Sequence, residues 1–449
     1  MIMKWQDRWR DKVKTPEEAA KLIKSGDRVV ISTGPPQPVS TCQALANRKG
    51  ELENVTLVSM HGRPWPWLQP GWEKTFKVVN LYTSLFSRQA DQQRRSEWIP
   101  TIWGLGDGIR HSETPRGKSY MDADVFVFSM PPPDSNGLCS FGPALWYSPV
   151  AARTAKTVIA EIDKTLPWTY GENFDVSKVT YLVDPGPPLP VARHPLPVPP
   201  QEDVGPLAVI GAHVADLVRD GDTVQVGTGS ASEAVLEFLG TKNDLSIDTE
   251  IMPAMMIELV RAGVFTSKYN NLHPGKHITA AFMIYDPDPR RDELMAYVER
   301  NPVFELHDIS YTCNIPRIAA NHNFVSINNG LTVDLAGQVI VSHLGADPIA
   351  GIGGQLEFTV GAHYSRGGRA ITTLLSTAKG GTVSRIVPQF EVGAMIGVPN
   401  VYVDYLVTEQ GVVNLDCKSL RGRAEAIISV AHPDFRPELN KAARKLFWP

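Results

Sequence analysis

Two carboxylates at the end of a strand-like run have the clearest chemical potential. In LSIDTE (residues 245–250) apolar and polar residues alternate, as in a half-buried strand. A period of two places Asp248 and Glu250 on one face near the carboxyl end of that strand, the edge at which α/β sheets bind ligands. The pair suits acid/base chemistry, with one pKa raised by the neighbouring charge. Two solvated charges at a strand end are the alternative interpretation.

A glycine loop precedes this run. It follows a predicted strand at 223–226, opens a predicted helix at 232–239, and consists of Gly227, Thr228, Gly229, Ser230 and Ala231. Such a loop exposes amide donors and a positive helix end, which suits a phosphate or pyrophosphate. The third glycine of a dinucleotide fingerprint is missing, and the sequence contains no GxxxxGK[ST] motif. Without further support, a tight strand-to-helix turn is the better explanation of the loop.

Three further features lie downstream. In AGIGGQLEF (350–358), closely spaced glycines including Gly353 and Gly354 indicate positive φ or a close approach to the backbone. Lys379 lies in the glycine-flanked loop of STAKGGTVSRIVP, where it would meet a phosphate as a point charge or simply be solvated. Asn314, in YTCNIPRIA, stands shortly before a proline and is expected in an extended or turn conformation.

The chain divides at a proline-rich segment. Residues 184–200, DPGPPLPVARHPLPVPP, contain eight prolines, which exclude a helix or a central strand and favour a stiff, extended connector. We therefore expect an N-terminal domain at 1–183, a linker at 184–206 and a C-terminal domain at 207–449.

The two halves also resemble each other. AAKLIKSGDRVVISTG (19–34) and VADLVRDGDTVQVGTG (214–229) share seven identities in sixteen positions at an offset of 195 residues. Each copy reads as a helix, a Gly-Asp turn, a strand and a Thr-Gly loop. A duplication giving two similar open α/β domains, with largely parallel sheets covered by helices, is the fold expected.

Composition excludes several classes of protein. The 44 Lys and Arg nearly balance the 48 Asp and Glu, which gives no reason to expect nucleic acid or an anionic membrane as partner. The four cysteines are widely spaced and form no CxxC pair, so neither a metal site nor a disulfide framework is predicted. The N-terminal segment lacks the apolar core of a signal peptide. We expect a cytoplasmic protein.

Taken together, these segments resemble the acetyl-CoA hydrolase/transferase family of class I CoA-transferases, which includes 4-hydroxybutyrate and butyrate:acetate CoA-transferases. The resemblance spans nearly the whole chain. It rests on these motifs in the same order: SGDRVVISTG, SMPPPDSNGLCSFG, TEI at Glu250, VSINNGLTVDLAGQV, GIGGQLEF, STAKGGTVSRIVP and AHPDFRPEL.

The resemblance implies roles for the candidate residues. Glu250 aligns with the glutamate nucleophile that becomes a glutamyl-CoA thioester, and Asn314 with the amide of Gly354 forms an oxyanion hole. The positions implied to contact coenzyme A are Gly227, Thr228, Gly229, Ser230, Ala231, Leu331, Gly353, Gly354 and Lys379. The expected function is ping-pong transfer of coenzyme A from an acyl-CoA to a small carboxylic acid. No permanently bound cofactor is expected, and the family commonly forms homodimers or larger assemblies.

The sequence leaves open how Asp248 affects the ionisation of Glu250 and which of three functions the protein has. A glutamate is expected to be ionised at neutral pH and to attack without a general base. Asp248 stands where many family members have a neutral group, and it would raise the pKa of Glu250 unless a cation compensates. An acyl-CoA hydrolase using the same glutamate and a non-catalytic acyl-CoA-binding protein are the alternative functions.

Overall fold

The structure is a computed structural model that describes residues 5–101, 103, 123–186, 204–284 and 288–449. Most of the predicted linker, residues 187–203, lies outside the described residues. The described chain consists of short strands and helices in alternation.

The strands are β1 Val13–Lys14, β2 Arg28–Ile31, β3 Val55–Ser59, β4 Phe76–Asn80, β5 Ser96–Trp98, β6 Val125–Met130, β7 Leu138–Cys139, β8 Thr157–Ile162, β9 Phe174–Asp175, β10 Tyr181–Val183, β11 Thr223–Val226, β12 Ser246–Pro253, β13 His277–Met283, β14 Phe304–Leu306, β15 Phe324–Asn329, β16 Thr332–Asp334, β17 Val339–Ile340, β18 His343–Leu344, β19 Asp347–Pro348, β20 Arg369–Thr373, β21 Thr377–Ala378, β22 Val383–Ser384, β23 Ile386–Val387, β24 Tyr405–Thr408 and β25 Gly411–Asn414.

The α-helices are α1 Trp5–Arg8, α2 Pro16–Ala20, α3 Val39–Ala46, α4 Arg88–Gln92, α5 Ser148–Thr154, α6 Val204–Leu217, α7 Ser230–Glu233, α8 Ala254–Arg261, α9 Arg291–Val298, α10 Ile309–Thr312, α11 Ile315–Ala320, α12 Gln355–Tyr364, α13 Leu420–Ser429 and α14 Arg436–Phe447. Short 3₁₀ segments are Arg10–Lys12, Pro66–Leu68, Val176–Lys178, Ala234–Thr241, Asn400–Tyr402 and Pro433–Phe435.

The chain forms two compact units. Unit 1 comprises Met1–Pro197, Ala280–Tyr311 and Ile349–Gly351, and unit 2 comprises Val198–Thr279, Thr312–Pro348 and Ile352–Pro449. Two segments of the predicted C-terminal domain therefore cluster with unit 1. Helix α6 begins at Val204, inside the stretch predicted as linker.

Unit 1 contains a parallel sheet of eight strands in the order β1-β10-β8-β6-β2-β3-β4-β5. The central strands are apolar on both faces, as a parallel sheet covered by helices requires; β6, for instance, is buried throughout. Trp65 and Trp67 stack with ring centroids 5.0 Å apart and belong to the hydrophobic core of this unit. These two tryptophans therefore have a packing role.

Unit 2 repeats this arrangement. Its sheet includes β12-β11-β15-β20-β24-β25 in that order, parallel except for the antiparallel edge pair β24–β25. In the sequence repeat, β2 corresponds to β11. With that correspondence, the strand order β10-β8-β6-β2-β3 of unit 1 matches the order β24-β20-β15-β11-β12 of unit 2. The predicted fold class of two similar α/β domains is confirmed.

The shared strand order indicates where a ligand would bind in each unit. From the first strand of each copy, β2 or β11, the chain adds β3 or β12 on one side and later returns to the other side with β6 or β15. Such a reversal opens a crevice at the carboxyl ends of the strands. Among the described residues, none of the helices has the length and apolarity needed to cross a bilayer.

Candidate active site

Glu250 lies on β12, next to the strand that begins the repeat in unit 2. The run predicted to end at this residue continues as a strand to Pro253. Its Oε2 atom accepts a hydrogen bond of 2.7 Å from the backbone amide of Gly354. Since Gly354 precedes the first residue of α12, the carboxylate lies at the positive end of a ten-residue helix.

Glycine at position 354 is dictated by close approach. A Cβ atom there would lie 2.5 Å from Oε2 of Glu250 and 2.8 Å from Sγ of Cys313, both far inside van der Waals contact. Any other residue would displace the carboxylate, so the amide reaches Glu250 only because this residue has no side chain. The preceding Gly353 adopts a positive φ of 61° and turns the chain into the helix.

Asn314 caps a second helix, and its neighbour Cys313 lies next to Gly354. Its φ of −75° and ψ of 110° are extended, as predicted, and its side-chain oxygen accepts a 3.1 Å hydrogen bond from the backbone amide of Arg317 in α11. This cap orients the amide group so that its oxygen faces the helix and its Nδ2 donor faces away. Cys313, the preceding residue, has its sulfur against Glu250 and Gly354.

Helices α11 and α12 are held close together by another glycine. A Cβ on Gly361 of α12 would lie 2.4 Å from Cγ2 of Ile318 of α11, so the two helices approach as closely as backbone allows. Their amino-terminal caps, Asn314 and Gly354, are thereby fixed within unit 2.

Asp248, the second carboxylate, is paired with an arginine. It is fully buried, and the guanidinium of Arg317 donates hydrogen bonds of 2.5 and 2.7 Å to its two oxygens. The same guanidinium donates to the carbonyl of Thr312 at 2.7 Å. Asp248 is thus a structural anchor, and the acid/base pair considered from the sequence is not formed.

Burial controls the ionisation of Glu250. Loss of solvent raises its pKa from 4.5 to about 7, and the hydrogen bond from Gly354 opposes that rise. The expectation of complete ionisation at neutral pH is therefore wrong, because near pH 7 about half of the carboxyl groups are protonated. Burial, and secondarily the charge of Glu250, raises the pKa of the Cys313 thiol well above its usual range.

The glycine loop after β11 is partly filled by protein groups. The amide of Gly227 donates to the carbonyl of Ile327 at 2.7 Å, and that of Gly229 donates to Oε1 of Glu233 at 3.0 Å. The predicted helix at 232–239 is instead a four-residue helix followed by a 3₁₀ segment. The loop therefore offers a phosphate fewer amide donors and a weaker dipole than the sequence suggested.

Two asparagines at the carboxyl end of the neighbouring strand, β15, hold this loop. The side chain of Asn329 donates to the carbonyl of Thr228 at 3.1 Å and accepts from the amide of Ser232 at 3.0 Å. A Cβ on Gly227 would lie 2.5 Å from Oδ1 of Asn328, and one on Gly229 would lie 2.3 Å from Nδ2 of Asn329. The loops after β11 and β15 thus meet at the strand-order reversal, where a ligand of unit 2 is expected.

The remaining predicted contacts occupy distinct places. Leu331 is half-buried just after β15, with its amide donating to the carbonyl of Ile340 at 2.8 Å. Lys379 is exposed, with a φ of 50°, at the tip of the hairpin formed by β21 and β22. Leu331 follows the strand that ends at Asn329, whereas Lys379 lies on a separate hairpin.

Sequence reasoning missed Arg317, Asn328 and Asn329 as parts of the site. The two asparagines stand in the quoted motif VSINNGLTVDLAGQV, directly after a β-branched run, which was the available signal. Arg317 gave no local signal, because its partner Asp248 lies 69 positions away.

One group in unit 2 has the composition of a cation site. Ligand atoms of His363, Asp404 and Asp416 lie within 4.8 Å of one another. Nδ1 of His363 is paired with Asp404 at 2.6 Å, which accounts for the proximity of these two residues without an ion.

Known proteins share both the sequence and the fold. Residues 2–192 match the acetyl-CoA hydrolase/transferase N-terminal domain, and residues 291–443 match the C-terminal domain of the same family. The chain is 36% identical to a 4-hydroxybutyrate coenzyme A transferase of Clostridium kluyveri, covering 99% of this chain and 100% of that protein. It is 33% identical to a succinyl-CoA:cyclohexane-1-carboxylate CoA transferase of Geobacter metallireducens, covering 98% and 97%.

The crystal structure of RipA from Yersinia pestis superposes with a TM-score of 0.86 at 29% identity, over the full length of both chains. The family predicted from the motifs is confirmed by the matches to both domains. The chain belongs to the acetyl-CoA hydrolase/transferase family and is a CoA-transferase.

Proposed function

We propose that the enzyme transfers coenzyme A from an acyl-CoA to a carboxylic acid through a thioester on Glu250. The supporting observation is the hydrogen bond from the Gly354 amide to the Glu250 carboxylate. A carboxylate held at a helix amino terminus and backed by a fixed donor is suited to nucleophilic attack and to the oxyanion that follows.

The reaction consists of paired acyl exchanges. A carboxylate oxygen of Glu250 attacks the thioester carbonyl, the C–S bond breaks, and an acyl-glutamyl anhydride forms with release of CoA thiolate. The thiolate attacks the glutamyl carbonyl and expels the first acid as its carboxylate, which leaves a glutamyl-CoA thioester. A second carboxylate repeats these steps in reverse, departs as its CoA ester and regenerates the Glu250 carboxylate. No net proton is consumed.

Each attack on a carbonyl produces a tetrahedral oxyanion. We assign its stabilisation to the amide of Gly354 and to Nδ2 of Asn314, whose oxygen is already held by the α11 cap. Fixed donors of this kind need no reorganisation during the reaction, and loss of one typically costs about 3–4 kcal/mol of transition-state stabilisation.

Coenzyme A is assigned to the crevice between the carboxyl ends of β11 and β15. The residues proposed to contact it are those predicted from the sequence: Gly227, Thr228, Gly229, Ser230, Ala231, Leu331, Gly353, Gly354 and Lys379. The loop geometry supports the first five and Leu331, because both loops open at the same strand-order reversal. Lys379 is assigned on its exposure and charge alone.

The acid substrate is proposed to be a small carboxylic acid. The relatives named above transfer coenzyme A to or from 4-hydroxybutyrate and cyclohexane-1-carboxylate, and a third, 31% identical, is a butyryl-CoA:acetate CoA-transferase of Anaerostipes caccae. We also carry forward a cytoplasmic location and a homodimer as proposals, the latter to be tested by sedimentation equilibrium.

Borohydride trapping tests the intermediate. Enzyme incubated with acetyl-CoA and then reduced with borohydride should carry an alcohol in place of the carboxyl group at position 250, located by peptide mass analysis. Glu250→Gln should lose transfer and the trapped product, whereas Glu237→Gln, a change of an exposed glutamate in the same unit, should keep both. Acyl exchange with position 250 unreduced would refute the mechanism. Release of free CoA at the same rate with and without an acceptor acid would favour the hydrolase instead.

A further inference from the structure

One oxygen of Glu250 lies against two groups that bind water poorly. A Cβ on Gly354 would lie 2.5 Å from Oε2 of Glu250 and 2.8 Å from Sγ of Cys313. The ring of Phe358 is the third neighbour, with its Cε2 atom 3.1 Å from the same point. A thiol is a weak hydrogen-bonding group, and a phenyl carbon offers no hydrogen bond of ordinary strength. Cys313 and Phe358 together form what we call the thiol–phenyl wall beside the carboxyl group.

The thiol–phenyl wall lies on the inner side of the nucleophile. Cys313 and Phe358 are both fully buried, whereas Glu250 is half-buried, so the accessible part of Glu250 faces away from the wall. Burial raises the pKa of the Cys313 thiol well above its usual range, and the charges of Glu250 and Glu357 add to that rise. The side chain at position 313 is therefore an uncharged thiol at neutral pH and is not itself a nucleophile.

The framework around Cys313 is rigid. This residue directly precedes the cap of α11, and the carbonyl of the preceding Thr312 accepts a 2.7 Å hydrogen bond from the guanidinium of Arg317. Helices α11 and α12 already touch at Ile318 and Gly361, where a Cβ on the glycine would lie 2.4 Å from Cγ2 of the isoleucine. The helices cannot close over a shorter side chain at position 313, so removal of the sulfur would leave a hole.

That hole would have polar neighbours. Oε2 of Glu250 lies on one side of it, and the hydroxyl oxygen of Thr312 lies 3.9 Å from the present position of Sγ. A space of the size of a sulfur atom with two polar neighbours suits one water molecule. In the wild type the sulfur fills this space and keeps water from it.

Water at this position would compete with the acid substrate. A thioester on Glu250 is open to attack by a carboxylate, which gives transfer, or by water, which gives hydrolysis. In hydrolysis the water oxygen bonds to the glutamyl carbonyl carbon, the C–S bond breaks, coenzyme A leaves as its thiol, and Glu250 returns as a carboxylate with release of one proton. Because water is far more concentrated than any acid, the protein has to exclude it for transfer to dominate.

We propose that Cys313 is a specificity-determining residue, which with Phe358 denies water a place beside the glutamyl-CoA thioester and so favours transfer to an acid over hydrolysis. Cys313 makes no bond to the substrate in this role; it acts through the space it fills and the hydrogen bonds it withholds. Because the thioester belongs to the proposed function, this inference rests on it.

The test uses the isolated intermediate. The enzyme is treated with excess acetyl-CoA, freed of acetate and unreacted ester by rapid gel filtration, and divided between H₂¹⁸O buffer alone and buffer with unlabelled acetate. Release of coenzyme A in the first portion measures hydrolysis, and formation of acetyl-CoA in the second measures transfer. Peptide mass analysis of the first portion shows whether ¹⁸O enters the carboxyl group of Glu250, as attack of water on the glutamyl carbonyl requires.

Cys313→Ala should raise the ratio of hydrolysis to transfer by at least about tenfold, the effect of roughly one hydrogen bond to a held water. One ¹⁸O atom should appear on Glu250. Cys313→Ser keeps the volume but adds a strong donor and acceptor that can bind water, and it should raise the ratio as well. Cys139→Ala is the matched control, since Cys139 is a buried cysteine on β7 of unit 1 whose sulfur lies 3.8 Å from the carbonyl oxygen of Gly137. Its ratio should equal that of the wild type.

Three results would overturn the inference alone: a wild-type ratio in both Cys313 variants, an equal slowing of hydrolysis and transfer, or faster hydrolysis without ¹⁸O on Glu250. The second of these would assign Cys313 to packing only. If the wild type exchanges acyl groups but forms no thioester on Glu250, the proposed function fails and this inference fails with it.

Discussion

Asp248 and Arg317 form a two-pronged ion pair, with hydrogen bonds of 2.5 and 2.7 Å, next to the proposed nucleophile. Arg317 is the cation that compensates the charge of Asp248, which the sequence alone could not identify. The ionisation of Glu250 is therefore governed by burial and not by Asp248. The ion pair also joins β12, which carries Glu250, to α11, whose cap is Asn314. The distance between nucleophile and donor therefore depends on this contact.

Breaking the pair from one side should destabilise the protein severely. Arg317→Met leaves a fully buried carboxylate without its cation, and we expect the free energy of unfolding to fall by about 3–5 kcal/mol in urea denaturation. The double variant Asp248→Asn/Arg317→Met should recover part of that loss. Arg261→Met, which removes a partly exposed pair with Glu258, should cost under about 1 kcal/mol. Equal losses for the two arginines would contradict the assigned role.

The ionisation of Glu250 should appear in the rate. With a pKa of about 7, kcat/KM for acyl-CoA should fall tenfold per pH unit below neutrality and level off above it, because only the carboxylate attacks. Stopped-flow measurement of the first half-reaction between pH 5 and 9 provides the profile. A plateau that extends down to pH 5 would show that the carboxyl group is not desolvated.

The same shift predicts a gain in stability from removing the nucleophile. The pKa is raised in the folded state, so the contribution of Glu250 to stability is present below pH 4.5 and lost as the pH rises through about 7. Glu250→Gln does not titrate, and its advantage over the wild type should grow across this window to about 1–3 kcal/mol. Unfolding of both proteins at pH 4.5 and pH 8 measures the difference, which should not grow if Glu250 titrates as in the unfolded chain.

Gly354→Ala should abolish turnover. The added methyl group would lie 2.5 Å from the Glu250 oxygen and 2.8 Å from the Cys313 sulfur, so it must displace the carboxylate from the amide. We expect kcat to fall by at least about a hundredfold, as for loss of an oxyanion donor. Gly240→Ala is the control, since a Cβ at that position meets nothing within 4 Å. Full activity of Gly354→Ala would exclude the assigned contact.

Asn314→Ser separates the two roles of the asparagine. Serine keeps an oxygen that accepts from the Arg317 amide and preserves the helix cap, but it removes the Nδ2 donor. We expect kcat to fall about 10²–10³-fold while Tm stays within a few degrees of the wild type. Asn314→Ala should lose the cap as well, at about 1 kcal/mol. A drop in Tm without a drop in kcat for the serine variant would assign Asn314 a structural role only.

The sequence was most informative where chemistry and local pattern coincide. The repeat at 19–34 and 214–229 predicted two copies of one fold, and the alternation in LSIDTE placed Glu250 on a strand at a ligand-binding edge. Both are short-range properties, set by side-chain period and turn residues. Such short-range properties do not depend on contacts between distant segments.

Contacts between distant segments were beyond that reasoning. Glu250 and Gly354 are 104 positions apart, and the need for glycine at 354 arises from Glu250 itself and from a third residue, Cys313. The pKa of Glu250 depends on how much water the folded chain removes, which no local pattern encodes. For the same reason the glycine loop looked open in sequence, although Glu233 and Asn329 occupy part of it.

The matching strand order of the two units has an evolutionary consequence. After a duplication, each copy accumulates substitutions on its own framework, and the register that aligns Met60 with Glu250 is preserved while the side chains diverge. One copy then retains the proposed nucleophile, and the other copy can diverge without altering it.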